Sequence, residues 1–555
     1  MSFPERPLRL VALLVALAAL AGAVPAGASA PPDPNALRSP ASVDDAPPGH
    51  RLSATRTIAI ADALPEVRRA RRAHRGSTRA AFLKGSDRWQ VSYYATRGQE
   101  IAQVTIVDAT GQVQEEWTGF QVAWTMARGY PGAFGRKAVA VWVWLPLCLL
   151  FVAPFVDPRR PRRWLHLDLL VLVGLSVSLA FFSHGKIGLS VPLAYPVLGY
   201  LLVRMLVLAR GGRGRPEPLH LLVPASWLAV AIVFLLGFRV GLNVVDSNVI
   251  DVGYAGVIGA DRLAHGKPLY GGYPKDNEHG DTYGPVNYLA YVPFVEALGW
   301  SGSWDSLPAA HGAAIAFDVL TMLALWLLGR RVRGPTLGIA LAYAWAAFPF
   351  TLFASSTNTN DSLLALLVVL AFLAASSAPG RGSLAALAGL TKFAPLALAP
   401  LLARGAGPWR RRSLAAYAGA FLAVGALAGL PVLLHGDLRT AYAQTLDYQT
   451  TRGSPFSVWG LYGLPHAAQL AAQLGAGALA ILVAFVPRRR TVVQLAALGA
   501  AVLIAVQLGV THWFYLYVVW FFPLVMLALL GRYTEPAGRG AAIVTSRSSA
   551  QAARG

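Results

Sequence analysis

Apolar residues in this chain come in long unbroken runs, and polar ones gather in short loops and two or three longer segments. About 20 apolar residues span the hydrocarbon core of a bilayer as a helix. On that measure the runs predict spans at about 138–156, 165–183, 191–209, 219–240, 308–328, 335–354, 362–378, 413–434, 466–486, 491–510 and 513–530. Two apolar segments do not fit a simple crossing. Gly284–Trp300 would put Arg330, Arg331 and Arg333 on the wrong side, so it is placed along the interface or as a partly re-entrant piece. Ser383–Ala403 is interrupted by Thr391-Lys392 and Pro395, which predicts two half-helices with Lys392 near the outer end.

Before the first span the pattern changes. Residues 31–54 are rich in Pro, Ala, Ser and Asp and read as a linker. Thr55–Arg75 has helical periodicity with a basic end. From Trp89 to Trp117 the chain alternates as strands do, with Asp108-Ala-Thr-Gly111 as a turn. Residues 31–135 are therefore expected to form a small α+β domain. Ahead of it, Arg6 and Arg9, the apolar stretch Leu10–Val24 and Ala28-Ser29-Ala30 have the form of a secretory signal, cleaved or kept as an anchor. Either form places the domain outside the cytoplasm. Residues 136–218 follow as accessory transmembrane helices, 219–532 as the main membrane module and 533–555 as a disordered cytoplasmic tail.

Composition agrees with a lipid-embedded chain. Of 555 residues 55% are hydrophobic and 14% charged, against about 25% charged in soluble domains. The formal net charge of +21 would suggest nucleic acid in a soluble protein. Here the basic residues sit in loops between spans, at Arg159–Arg163, Arg210–Arg215, Arg330–Arg333, Arg410–Arg412 and Arg488–Arg490, where they act as topology signals. Nucleic acid is not an expected partner; the lipid bilayer is. The single cysteine, Cys148, excludes an intrachain disulfide and a cysteine metal cluster.

With the basic loops on the cytoplasmic side, two long loops fall outside, at about 241–307 and 435–465. The first carries Asp246 and Asp251 just past a span, then Tyr254, a Gly266-Lys-Pro268 turn, Tyr270 and Tyr283-Gly-Pro285. An aspartate at a helix end is commonly a cap or a solvated group, and Asn360-Asp361 before the 362–378 span has the same alternative reading. A lysine inside a membrane module is costly, so a functional role for Lys392 is set against snorkelling to the interface. Arg452 and His512 belong to the same outer side, with a loop charge and a packed helix-end histidine as their structural alternatives. His265, Glu278, His279 and Asp281 fit no tight metal-ligand spacing. No metal site and no cofactor is expected, with a divalent ion left open.

These residues resemble a family. Asp251…Tyr254…Gly266-Lys-Pro268-Leu-Tyr270, Tyr283-Gly284-Pro285-Val286, Thr359-Asn360-Asp361, Gly389-Leu-Thr-Lys392-Phe-Ala-Pro395 and Arg452-Gly-Ser-Pro455-Phe-Ser-Val-Trp459 together resemble the GT-C class of membrane glycosyltransferases. The likeness is to the family-87 polyprenol-phosphate-mannose-dependent relatives and covers about residues 220–530. Gly284 stands in place of one of the two prolines in the family's Tyr-Pro-Pro-Leu-like stretch. The leading "VTIVDATGQVQEEW" stretch resembles the extracytoplasmic PepSY-type domains. The resemblance implies a GT-C-like helix bundle and transfer of a mannose-like sugar from a polyprenyl-phosphate donor to an envelope glycan, lipid or protein. It implies Asp251 as the base, with Asp246 as runner-up. Lys392, Arg452 and His512 would face the donor phosphate, and Tyr254, Tyr270, Tyr283, Asn360 and Asp361 would line the substrate loops. Two other readings stand beside it: a transporter or flippase of lipid-linked precursors, and a membrane sensor or scaffold presenting the 31–135 domain.

Overall fold

The computed structural model describes residues 37–96, 98–129, 134–211, 217–408, 410–435 and 438–534. The expected signal segment and most of the expected C-terminal tail lie outside these residues. The chain divides into two compact units, one of residues 25–133 with 180–190 and one of the remainder.

The smaller unit is built on a five-stranded antiparallel meander: β1 (Leu37–Arg38), β2 (Thr78–Lys84), β3 (Arg88–Tyr94), β4 (Glu100–Val107) and β5 (Val113–Thr118), paired in that order. Register puts Trp89 opposite Ile106, Val91 opposite Val104 and Tyr93 opposite Ala102, so one face of the sheet is apolar. Two helices, Ala54–Asp62 and Pro65–Ala73, pack on it through Ala54, Ala61 and Val67. The single helix expected over Thr55–Arg75 is thus two. Pro65 lacks the N–H that a continuous helix needs, and it holds Leu64 in an extended conformation. Strands β1 and β2 were not expected; β2 lies in a stretch of mixed polarity without clear alternation. The expected turn at Asp108–Gly111 is present between β4 and β5, with Gly111 left-handed (φ 70°). Asp108 itself accepts hydrogen bonds from the Arg51 and Leu52 amides (2.8 and 3.1 Å) and from Trp89 Nε1 (2.9 Å). Burial pushes its carboxyl up, but these three donors and nearby His50 outweigh that and hold it low.

The larger unit is helical. Among the described residues seven helices are long and apolar enough to cross a membrane: Trp164–Ser183, Ile187–Ala209, Ala225–Val245, Pro308–Arg333, Arg411–Leu434, His466–Phe485 and Val492–Gly509. Pro335–Ala347 and Pro349–Ser356 are an apolar pair bent by 58° at the break between them, the geometry of a broken span or a re-entrant segment. The chain is a multi-pass helical membrane protein. Three expected spans are shorter than a full crossing: Val141–Phe155, Asp361–Leu373 and Tyr515–Leu530. Prolines and 3₁₀ turns cut the first and last. The span expected at 219–240 starts later, at Ala225, because Pro224 marks the helix entry and Leu219 instead bonds Thr534. Ser383–Ala403 is broken as expected, into Ala378–Gly389 and the pair Ala394–Leu398 and Ala399–Arg404. Gly284–Trp300 is two short helices, Pro285–Leu289 and Val292–Leu298.

The centre of the unit is Pro308–Arg333 and Val492–Gly509, both mostly buried. Pro308–Arg333 turns back on Pro335–Ala347 at Gly334, and a Cβ on Gly329 would meet Gly338 Cα at 2.7 Å. Only small residues let two backbones come this close. A buried ion pair ties Ala225–Val245 to this hairpin: Arg239 Nε donates to Asp318 (2.8 Å), Trp345 Nε1 donates to the same carboxylate (2.8 Å), and Arg239 also reaches Ala346 O and Thr351 Oγ1.

Candidate functional site

The site begins with a buried polar strand of backbone. Residues 355–361, between the helix ending at Ser356 and the one starting at Asp361, are almost all polar and fully buried. Their carbonyls pair with the loop after Ala225–Val245: Asn248 N donates to Ser356 O (3.1 Å) and Ile250 N to Thr357 O (3.3 Å). Asn358 takes a left-handed conformation (φ 53°) and its side chain bonds Ser247, Asn248 O and Asn243. Gly253 allows the contact, since a Cβ there would lie 2.2 Å from Asn358 O. The helix Asp251–Ala264 is therefore anchored with its first residue beside the start of Asp361–Leu373. Two aspartates 110 positions apart in sequence become neighbours in the field of the same charges.

The third strand of the site is the break at residues 390–393. Gly284 N donates to Thr391 O (3.3 Å) and Val286 N to Leu390 O (3.0 Å). A Cβ on Gly284 would sit 2.0 Å from Leu390 O, which is why this position carries glycine and not a bulkier residue. The contact brings the Tyr283 ring over Lys392 (5.6 Å from Nζ). Tyr517 and Trp520 complete the enclosure at 5.5 and 5.1 Å, stacked on each other at 4.1 Å. Lys392 Nζ is ion-paired with Asp361 Oδ1, and Trp520 Nε1 donates to the same oxygen (2.7 Å). Asp361 Oδ2 is buried without a partner. Lys392 does not snorkel, and neither Asn360 nor Asp361 caps its helix: Asn360 makes no side-chain cap bond and instead donates to Asn287 Oδ1 (2.7 Å).

Arg452 follows the short helix Tyr448–Thr451, with its guanidinium 5.7 Å from the Tyr448 ring; that ring stacks on His279 at 4.5 Å. Its Nε is buried without a partner, and it contacts the Tyr517 hydroxyl. His512 shares a hydrogen bond with Ser454 Oγ (2.9 Å) and packs on Phe456. Burial, then the charges of Arg452 and Lys392, hold its imidazole well below the usual histidine range, so it is neutral.

Asp251 is the open group of the cluster. It is exposed at the first position of the helix Asp251–Ala264. Burial raises its carboxyl above the usual aspartate range; the Val252 amide, Arg452 and Lys392 oppose that, and Asp361 adds to it.

Asp251, Lys392, Arg452, His512, Tyr283 and Asp361 are thus brought together. Asp246 is not: it pairs with Lys137 (2.9 Å). Tyr254 is fully buried against Trp300 and Trp304 and bonds Asp276. Tyr270 stands behind the site, its hydroxyl donating to Tyr283 O (2.9 Å). Among the described residues no three His, Cys, Asp or Glu side chains are grouped to hold a metal. His265 bonds Asp261 O, and Asp281 accepts from Gly271 N (2.6 Å). Sequence reasoning missed Tyr517, Trp520 and Asn287. Tyr517 and Trp520 lie three residues apart on one helix face just past His512, a spacing that carried the signal but was absorbed into an apolar run.

Comparison with protein-family models, with curated proteins and with solved structures gives no match to this chain.

Proposed function

We propose that this protein is a GT-C-type membrane glycosyltransferase that moves a mannose-like sugar from a polyprenyl-phosphate donor to an envelope acceptor, at the outer face of the cytoplasmic membrane. The observation that carries this reading is the exposed Asp251 at the start of its helix, with Arg452 and Lys392 in its field. In the transfer, an acceptor hydroxyl oxygen bonds the sugar's anomeric carbon as the bond from that carbon to the phosphate oxygen breaks. The bonding electrons leave with the polyprenyl phosphate, and the acceptor proton passes to Asp251. A carboxyl raised above its usual range is a stronger base for that proton. Fixed positive charge stabilises the departing phosphate. The surrounding membrane helices supply an apolar setting for the polyprenyl chain.

Charge supports this sidedness. Arg330, Arg331 and Arg333 close the helix Pro308–Arg333 at the end opposite His311, which bonds Asn243 beside the buried polar segment. The positive-inside rule then puts the arginine end in the cytoplasm and the cluster outside. Nucleotide sugars are absent there, so a lipid-linked donor is the consistent one.

The test uses purified protein in nanodiscs with radiolabelled polyprenyl-phosphate mannose, the arabinose donor in parallel, and an envelope-lipid acceptor extract. Wild type transfers sugar, Asp251→Asn loses roughly 10²–10⁴-fold of the rate, as removal of a general base does, and Asp246→Asn keeps most of it. Loss confined to Asp246→Asn would move the base, and folded wild type inert with both donors would count against the reading.

A further inference from the structure

Lys392 and Arg452 are both cations of one cluster, but their surroundings differ in kind. The Lys392 ammonium is closed off. One side is ion-paired with Asp361, and the rings of Tyr283, Tyr517 and Trp520 stand 5.6, 5.5 and 5.1 Å from Nζ, inside the range of cation–π attraction. Its side chain is only 10% accessible, and Asp361 is fully buried. Lysine and aspartate together present no net charge to an incoming anion. Drawing Lys392 onto a phosphate would leave the Asp361 carboxylate buried with the Trp520 N–H and an unpartnered Oδ2, next to a second anion. Removing one partner of a buried ion pair is strongly unfavourable.

Arg452 lies over the Tyr448 ring at 5.7 Å and contacts the Tyr517 hydroxyl, but it is not locked in an ion pair. Among the described residues it makes no ion pair with a carboxylate, and its Nε is unpartnered. It is partly accessible. A planar guanidinium also matches two phosphate oxygens in a way an ammonium does not.

We propose that Arg452 takes the anionic end of the lipid substrate and that Lys392 does not touch it. Lys392 is a positioning residue. It ties the 390–393 break to the start of Asp361–Leu373 and to the helix carrying Trp520, and so fixes the aromatic wall beside Asp251. This inference deepens the transferase reading and rests on its lipid-phosphate donor.

The experiment is a binding titration of full-length protein in nanodiscs with a sugar-free polyprenyl phosphate, followed by tryptophan fluorescence. Four proteins are compared: wild type, Arg452→Gln, Lys392→Met, and Lys392→Met combined with Asp361→Asn. The last removes both charges and leaves no uncompensated buried carboxylate, so it guards against misfolding of the single variant. Arg452→Gln is expected to weaken binding about tenfold or more, the scale of a lost charge-assisted bond. The double variant keeps wild-type affinity within about threefold, less than one such bond. In transfer assays Lys392→Met lowers kcat and leaves the donor KM unchanged, the mark of a residue that does not bind the ground-state donor. If wild type binds and both Lys392 variants weaken as much as Arg452→Gln, the inference is overturned and the transferase reading stands. If folded wild type does not bind the lipid phosphate, the donor assignment fails and takes the inference with it.

Discussion

Asp251, the base in the proposed transfer, has three charged neighbours, none near it in sequence. Arg452 and Lys392 favour its ionised form, Asp361 disfavours it, and burial outweighs the cations. The sign of each substitution follows. The base must be ionised to accept a proton, so kcat/KM rises as pH climbs through the Asp251 pKa. That acid limb should lie above the unperturbed aspartate value of about 3.9. Arg452→Gln removes a cation and should move the limb further up. Asp361→Asn removes an anion and should move it down. A pH–rate profile of the three proteins checks this, and a limb that stays in place in both variants would mean that Asp251 is not the titrating group. The same residue scale explains what could be read beforehand. Asp251, Lys392, Arg452 and His512 were legible as polar groups out of place beside apolar runs. Their partners were not. Tyr517 and Trp520 are apolar enough to pass as lipid-facing residues, and no local rule in the chain says that Asp361 would turn from its own helix end toward a lysine 31 positions away.

At the scale of elements, the site depends on close backbone contacts that glycine permits. Gly253 sits against Asn358 O and Gly284 against Leu390 O. Gly253→Ala should push the Asp251 helix off the buried 355–361 segment. The expected cost is about 1–3 kcal/mol of stability, as for overpacking elsewhere, with a loss of transfer larger than the loss of fold. Thermal unfolding in detergent beside initial rates measures both, and an unchanged melting temperature would contradict the packing described. Element boundaries were well marked where proline set them at Pro308 and Pro335, but not at Pro224, where the span expected from 219 begins only at Ala225. They were misread where proline acted inside a periodic stretch, at Pro65 and Pro349, because hydrophobic periodicity continues through a break that only the backbone registers. Strand β2 escaped for the opposite reason: its Thr-Arg-Ala-Ala-Phe-Leu-Lys run pairs well but alternates poorly.

At the scale of the molecule, hydropathy was enough to identify a multi-pass helical membrane protein, because lipid forces long apolar helices whatever the function. It could not say how the helices are arranged. The Arg239–Asp318 pair, which joins two spans and the bend at Pro349, was hidden because a single charge in an apolar run has no visible partner in one dimension. That pair is satisfied on all sides by Trp345, Ala346 and Thr351, and it reads as an organising contact of the bundle rather than a step on a path for solute. Two buried polar atoms without partners, Asp361 Oδ2 and Arg452 Nε, belong to the cluster around Lys392. The central claim is that this cluster is one site for a lipid phosphate and a sugar. The most direct test is an experimental structure in nanodiscs with a bound polyprenyl-phosphate sugar. The account predicts the phosphate within about 3 Å of the Arg452 guanidinium, a hydrogen-bonding distance, with the sugar lying between it and Asp251. A phosphate bound away from this cluster, with Asp251 facing only solvent, would contradict it.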